Sequence, residues 1–317
     1  MTVPGAVDPT GAPQPPAPGE PWTVLHLVRW SSPWLAERGV ERARLDVELM
    51  LADALGVERL RLYLEFDRPL VESELAAFRA RLRRRAAREP LQYILGETGF
   101  RQLRLRTDRR ALIPRPETEE LAGVVLAWAA EQGVEHPLDA LDVGTGTGAI
   151  ALSLAVEGPF RRVVATDVSP EALELARENA SRVTLQDGVE VEFRVGGLFS
   201  PLRAGERFHV LVSNPPYVSE SDWTGLQPEV RDWEPKGALT PGPEGLELLH
   251  ALVEGAPDHM MPGGLLALEV GVEQAGPLKD RIRNGGRFTD VRVLKDLSGR
   301  DRMVLAIARN DDGQGGR

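Results

Sequence analysis

Leu141-Asp142-Val143-Gly144-Thr145-Gly146-Thr147-Gly148-Ala149 decides the fold. Leu141 to Val143 reads as a short buried strand, and Ala149 to Val156 as a helix. The glycines between them let the backbone turn tightly and approach a ligand, and the helix N-terminus presents free N–H groups. Strand, glycine loop and helix open a βαβ unit, and the alternation continues outward. Val163 to Thr166 predicts a strand, Pro170 to Ala180 a helix, and Val189 to Val195 and Phe208 to Ser213 two more strands. Leu246 to Val253 follows as a helix, then Leu265 to Val270, Val291 to Leu294 and Met303 to Ile307 as strands. Such alternation predicts an α/β fold with a mostly parallel sheet covered on both faces. No internal repeat is visible.

Gly144, Gly146 and Ala149 fit Gly-x-Gly-x-x-Ala, a dinucleotide fingerprint that S-adenosylmethionine sites also use. The loop residues Gly144, Thr145, Gly146, Thr147 and Gly148 are therefore candidate cofactor ligands. Asp167 ends the next predicted strand, where a carboxylate accepts hydrogen bonds from both hydroxyls of a ribose. A capping role for Asp167 is the plainer alternative, but Ser169 is better placed to cap the helix from Pro170. Asp142 breaks the tie between cofactors. A carboxylate two residues before the first glycine suits a ligand with a cationic centre and an ammonium group, and repels a pyrophosphate. No His–Asp or Ser–Tyr–Lys arrangement is present to serve hydride transfer. His26, His136, His209, His250 and His259 are scattered without metal-ligand spacing, so no metal is expected.

Asn214-Pro215-Pro216-Tyr217 closes the apolar run Val210-Leu211-Val212-Ser213. Two prolines donate no N–H and fix φ, so the tetrapeptide forms a stiff loop at a strand's carboxyl end, where open α/β sheets bind ligands. The Asn214 amide, the Pro215 carbonyl and the Tyr217 ring suit one task, gripping a planar –NH2 group by its two hydrogens and its flat face. A proline-rich turn capped by Asn is the bland reading of the same four residues.

The formal net charge of -10 argues against a general nucleic-acid or membrane binder. There are no cysteines, which excludes disulfides, thiolate metal sites and a Cys nucleophile, and fits a cytoplasmic protein. No apolar run is long enough to span a membrane, and no signal peptide is evident. Residues 1–21 read as a disordered Pro/Gly-rich tail and 310–317 as a second disordered tail. Residues 22–90 predict a small bundle of short helices. In it Ser32-Pro33 reads as a helix start, Gly56 as a stop, and the arginines from Arg79 to Arg88 as a solvated face. Residues 91–113, with Tyr93, Ile94, Leu95, Gly96, Gly99, Leu103 and Leu105, predict a hairpin linker. Pro114-Arg115-Pro116-Glu117-Thr118 opens a helix at the start of a domain over 114–309.

The glycine loop, the strand-ending Asp167 and Asn214-Pro215-Pro216-Tyr217 together resemble class I, S-adenosylmethionine-dependent amino-methyltransferases. Three further segments narrow the resemblance: 113–119 (Ile-Pro-Arg-Pro-Glu-Thr-Glu), 234–239 (Glu-Pro-Lys-Gly-Ala-Leu), and 268–271 with 295–302. The whole set is similar to the HemK/PrmC family, the peptide chain release factor N5-glutamine methyltransferases, over about residues 24 to 308. That resemblance implies a Rossmann-like, seven-stranded methyltransferase domain with a smaller N-terminal helical domain that docks substrate. It implies that Gly144 to Gly148, Asp167 and Asn214 bind the cofactor, and that Asn214, Pro215, Pro216 and Tyr217 hold the substrate. Gly197-Leu198-Phe199 matches the family's adenine-side loop, with Gly197 where an Asp is usual and Leu198 left to pack on the adenine. The expected partner is a class-I release factor, and the expected enzyme a cytoplasmic monomer with no direct nucleic-acid binding. The principal alternative is an adenine-N6 methyltransferase acting on DNA or RNA, which grips its exocyclic amine with the same type of tetrapeptide. A cofactor-binding module without catalysis is a third reading.

Overall fold

The computed structural model describes residues 20–132 and 137–309. The expected tails, apart from Glu20 and Pro21, and His136 lie outside the described residues. The chain divides into two compact units, one ending at Gly96 and one beginning at Glu97.

The first unit is helical: α1 (Val24–Ala36), α2 (Ala43–Leu55), α3 (Arg59–Leu64), α4 (Glu72–Ala86) and α5 (Leu91–Leu95). Val47, Met50 and Leu51 recur at helical spacing along α2 and are fully buried with Leu35 and Phe78. Gly56 stops α2 in the left-handed conformation, at φ 65°. Ser32-Pro33 does not start a helix. Pro33 lies inside α1, whose cap is Thr23, accepting from the His26 N–H at 3.3 Å. Apolar packing by Leu27, Val28 and Leu35 carries the helix through the proline, and the Ser32 hydroxyl donates to the Val28 carbonyl at 2.6 Å. The arginine run is not wholly a solvated face either. Arg85 is buried and pairs with Asp46 of α2 at 2.7 Å, whereas Arg79, Arg81 and Arg84 bridge to Glu72, Asp53 and Glu89. The expected hairpin begins later than 91. Leu91 to Leu95 form a helical turn closed by Gly96 at φ 78°.

The second unit opens with the antiparallel hairpin β1 (Glu97–Phe100) and β2 (Leu103–Arg106), followed by α6 (Pro116–Glu131) with proline in its first turn. Then come β3 (Leu138–Val143), α7 (Ala149–Glu157), β4 (Phe160–Asp167), α8 (Pro170–Ala180), β5 (Glu190–Val195) and β6 (Phe208–Ser213). The chain continues through α9 (Pro228–Arg231), α10 (Glu247–Gly255), β7 (Met260–Glu269), α11 (Ala275–Gly285), β8 (Phe288–Lys295) and β9 (Asp301–Ala308). Seven strands form one sheet in the order β5-β4-β3-β6-β7-β9-β8. β3 to β7 pair in parallel, and β9 runs antiparallel to both its neighbours.

The central strands are near-continuous apolar runs because both faces are covered. Alternate residues serve opposite cores. Val163, Ala165, Val210, Val212, Leu265 and Ala267 face one. Val164, Leu211, Leu266 and Leu268 face the other. Each buried Val or Leu contributes about 1.5–3 kcal/mol. The chain moves outward from β3 to β4 and β5, then returns to place β6 on β3's other side. That reversal opens a crevice beyond the carboxyl ends of β3 and β6, the usual ligand position in such sheets.

Candidate active site

The loop from Gly144 to Gly148 leaves β3 at this switch point. Gly144, Gly146 and Gly148 all take left-handed backbone, at φ 75°, 56° and 83°. Gly148 is also crowded, since a Cβ there would lie 3.2 Å from Leu152 Cδ1 and 3.3 Å from Ala176 Cβ. The Gly144 and Thr145 N–H groups donate to the Thr166 carbonyl at 2.8 and 2.9 Å, fastening the loop to β4. The Thr147 carbonyl accepts from Asn179 Nδ2 at 2.9 Å, and the same buried side chain bonds both backbone groups of Arg106. Asn179 thus ties the loop to the hairpin.

A cavity of about 450 Å³ lies over the loop and the end of β6. Its wall includes Gly144 to Thr147, Asp167, Gly197, Leu198 and the run from Asn214 to Pro216. One segment, 110–115, and another that includes Pro235, Gly237 and Ala238, also line it. Glu234 joins these segments, accepting from the Ile113 N–H at 3.0 Å and from the Arg115 guanidinium.

Asp167 closes β4 with its carboxylate on the cavity wall. Oδ2 accepts from the Gly146 N–H and Oδ1 from the Ser169 N–H, each at 2.9 Å. Burial pushes its carboxyl above the usual range, against the lowering effect of those backbone bonds. Ser169 caps α8 by accepting from the Ala172 N–H. Leu198 takes left-handed backbone at φ 51°.

Asp142, Gly148 and Tyr217 are not brought to the cavity wall. Asp142 lies beneath the loop, fully buried, with Oδ2 accepting from the Thr145 hydroxyl at 2.6 Å and the Ala151 N–H at 3.1 Å. Its Oδ1 has no hydrogen-bond partner. Desolvation pushes its carboxyl up to about 7. The Tyr217 hydroxyl donates to Glu269 Oε1 at 3.2 Å, and its ring faces the Arg302 guanidinium at 5.5 Å.

Glu269 ends β7, nearly inaccessible, and its carboxyl is raised by burial. Its Oε2 accepts from the Thr118 hydroxyl at 2.7 Å, and Thr118 Oγ1 accepts from Asn214 Nδ2 at 2.9 Å. Sequence reasoning gave Thr118 and Glu269 no chemical role. The segment 295–302 reaches this group through Arg302, which faces the Tyr217 ring. Asp296 Oδ1 accepts from the Ser298 and Arg300 N–H groups, making a tight turn that leads into Arg302. Of the histidines, His209 accepts from the Asp139 N–H and His259 stacks on Phe199 at 4.7 Å. Among the described residues, no group of three or more His, Cys, Asp or Glu is placed to hold a metal ion.

The site therefore offers an apolar-walled cavity with backbone N–H groups, one carboxylate at a strand end, and a fixed amide on a proline-stiffened loop. Residues 26–96 match the PrmC N-terminal domain and residues 130–226 the methyltransferase small domain. The chain is 42% identical to the release factor glutamine methyltransferase of Geobacter sulfurreducens over 285 residues, 90% of this chain and 96% of that one. It is 41% identical to that of Cereibacter sphaeroides over 279 residues, 88% of this chain and 96% of that one. Among solved structures, the hMettl16 catalytic domain in complex with MAT2A 3'UTR hairpin 6 matches with TM-score 0.52 at 18% identity, covering 70% of this chain and 82% of that one. That likeness is one of fold.

Proposed function

This chain belongs to the release factor glutamine methyltransferase family, and on that premise we propose how its site methylates the Gln side-chain nitrogen in the Gly-Gly-Gln loop of a class-I release factor. S-adenosylmethionine supplies, when bound, an electrophilic methyl on a sulfonium centre. The residues present fit that group. Beside Gly144 and Gly197 a Cβ would meet nothing within 4 Å, leaving open space over both backbones. Asp167 offers a carboxylate edge to ribose hydroxyls, the loop from Gly144 to Gly148 offers its backbone, and Leu198 offers an apolar face to the adenine. Asp142 acts beneath the loop, holding Thr145 and the start of α7.

An amide nitrogen is a weak nucleophile because its lone pair is delocalised into the carbonyl. Asn214 Oδ1 and the Pro215 carbonyl accept its two N–H groups, aim it, and favour the positive charge that builds on it. Loss of one such preorganised contact costs about 3 kcal/mol in the barrier, by analogy with oxyanion-hole deletions. Positioning supplies up to about 7–11 kcal/mol more. Tyr217 backs the loop. The nitrogen sheds a proton after attack, so no strong base is required.

The observation that carries this reading is Asn214 on the cavity wall with its Nδ2 committed to Thr118, leaving Oδ1 as the acceptor. We assign the helical unit, residues 22–96, to docking the factor and the unit from Glu97, which opens with the hairpin, to catalysis. The net charge of -10 supports a protein substrate over direct nucleic-acid binding. The test is labelled S-adenosylmethionine offered with release factor, with free glutamine and with DNA. Mass spectrometry of the digested factor is expected to place the methyl on the Gln of Gly-Gly-Gln, with free glutamine hardly touched. Methyl on DNA adenine and none on the factor overturns the reading.

A further inference from the structure

We propose that Thr118 and Glu269 are positioning residues that lock the Asn214 side-chain amide in one orientation, so that the site presents an acceptor and reads N–H donors on its substrate. The inference rests on the assignment of Asn214 as the substrate's amide acceptor.

An asparagine amide has two faces of opposite chemistry, and a half-turn about its last bond exchanges them. Nothing in Asn214 itself selects one. The selection comes from a chain of three groups, each with one remaining choice. Glu269 lies between two hydroxyls and accepts from both, with Oε2 taking the Thr118 proton at 2.7 Å and Oε1 the Tyr217 proton at 3.2 Å. A threonine hydroxyl has a single proton. With that proton on Glu269, Thr118 Oγ1 turns only lone pairs to Asn214 and receives Nδ2 at 2.9 Å. Oδ1 is thereby directed away from Thr118, and no donor among the described residues reaches it.

The elements bearing these groups make the lock stiff. Thr118 is in the first turn of α6 and buried, Glu269 ends β7, and Asn214 follows β6 directly, beside β7 in the sheet. Reversing the amide would set N–H groups against the substrate's own N–H groups and leave Asn214 Oδ1 facing a hydroxyl oxygen whose proton is already used. Such a mismatch at a half-buried amide opposes the flip. The same lock disfavours a side chain that brings only acceptors, such as a carboxylate, in place of the carboxamide.

The test compares Thr118→Val, Thr118→Ser and Asn214→Ala in the full chain, measuring kcat and KM for release factor and the affinity for S-adenosylmethionine. Thr118→Val keeps the shape and removes the hydroxyl. Its kcat is expected to fall roughly ten- to a hundredfold, less than the hundred- to thousandfold typical of deleting a preorganised contact outright. Cofactor affinity is expected to stay within about twofold of the parent, the shift a binding contact would exceed severalfold. Thr118→Ser, which retains the hydroxyl, is expected to restore most of the rate, which a purely space-filling role would not produce. Should Thr118→Val fail to fold, Thr118→Ala is compared with Thr118→Ser in the same way. Normal kcat in Thr118→Val or Thr118→Ala, with Asn214→Ala inactive, overturns the lock and leaves the Asn214 assignment standing. Normal turnover in Asn214→Ala overturns both.

Discussion

Asp167 accepts a backbone N–H on each of its two oxygens and still lines the cavity. A carboxylate has more acceptor positions than its backbone N–H partners fill here, so room remains for a ribose hydroxyl. Ribose contacts are alike in ground and transition states, so they serve binding more than rate. Asp167→Ala is expected to weaken S-adenosylmethionine binding about ten- to a hundredfold, the equivalent of one hydrogen-bonded charge. The rate at saturating cofactor should change far less. Calorimetry showing unchanged affinity would remove Asp167 from the site. The placement of Asp167 and Asn214 at strand ends beside the cavity was legible in the sequence because that signal is local: each stands at a strand's end and precedes a turn. Thr118 and Glu269 were not. They are 151 positions apart, and their role exists only where α6 and β7 meet over Asn214. In the sequence Thr118 stood in a segment that opens a helix, and Glu269 inside a predicted strand. Asp142 departs from its expected place at the cavity wall. Its spacing before the glycines suggested a ligand for a cation, whereas the fold places it under the loop.

At the scale of elements, β3, its loop and α7 form one fastening. Asp142 holds the Thr145 hydroxyl and the Ala151 N–H with one oxygen, while the other stays buried without a partner. Desolvation raises its carboxyl from 3.8 to about 7. A carboxyl raised on folding binds protons more tightly in the native state. Stability from this group is therefore greatest below the unfolded value and declines as pH rises through about 4 to 7. Asp142→Asn removes the titration. Its stability relative to the parent, measured by denaturant unfolding without cofactor, is expected to increase across that pH window. A difference that stays flat with pH would show that Asp142 does not titrate there. Most elements of the sheet were readable, because strands buried on both faces are apolar runs bounded by turn residues. The departures have physical causes. Proline normally marks a helix start, but tertiary packing by Leu27, Val28 and Leu35 outweighs the hydrogen bond that Pro33 removes inside α1. Tyr93 and Ile94 have strand-like side chains, yet one helical turn buries both. Arg85 looked solvated because its partner Asp46 lies 39 residues away.

At the scale of the whole molecule, the chain has two units with separate cores. Leu35, Val47, Met50, Leu51 and Phe78 centre the first, and the two faces of the seven-stranded sheet centre the second. Every residue lining the cavity belongs to the second unit. No residue before Glu97 lines that cavity. A macromolecular substrate requires more. A Gly-Gly-Gln loop offers the site one side chain and two glycines, which give reach but little surface, and affinity for the factor must come from contacts beyond it. The proposed docking role of the helical unit supplies such contacts. A chain beginning at Glu97 is expected to fold, to bind S-adenosylmethionine within a few fold of the full protein, and to lose most methylation of release factor through a raised KM. Scattered loss of cofactor binding and of native circular dichroism would show instead that the second unit depends on the first for stability. Full activity on the factor at low concentration would show that the sheet domain recognises its substrate alone, and would withdraw the docking role from residues 22–96.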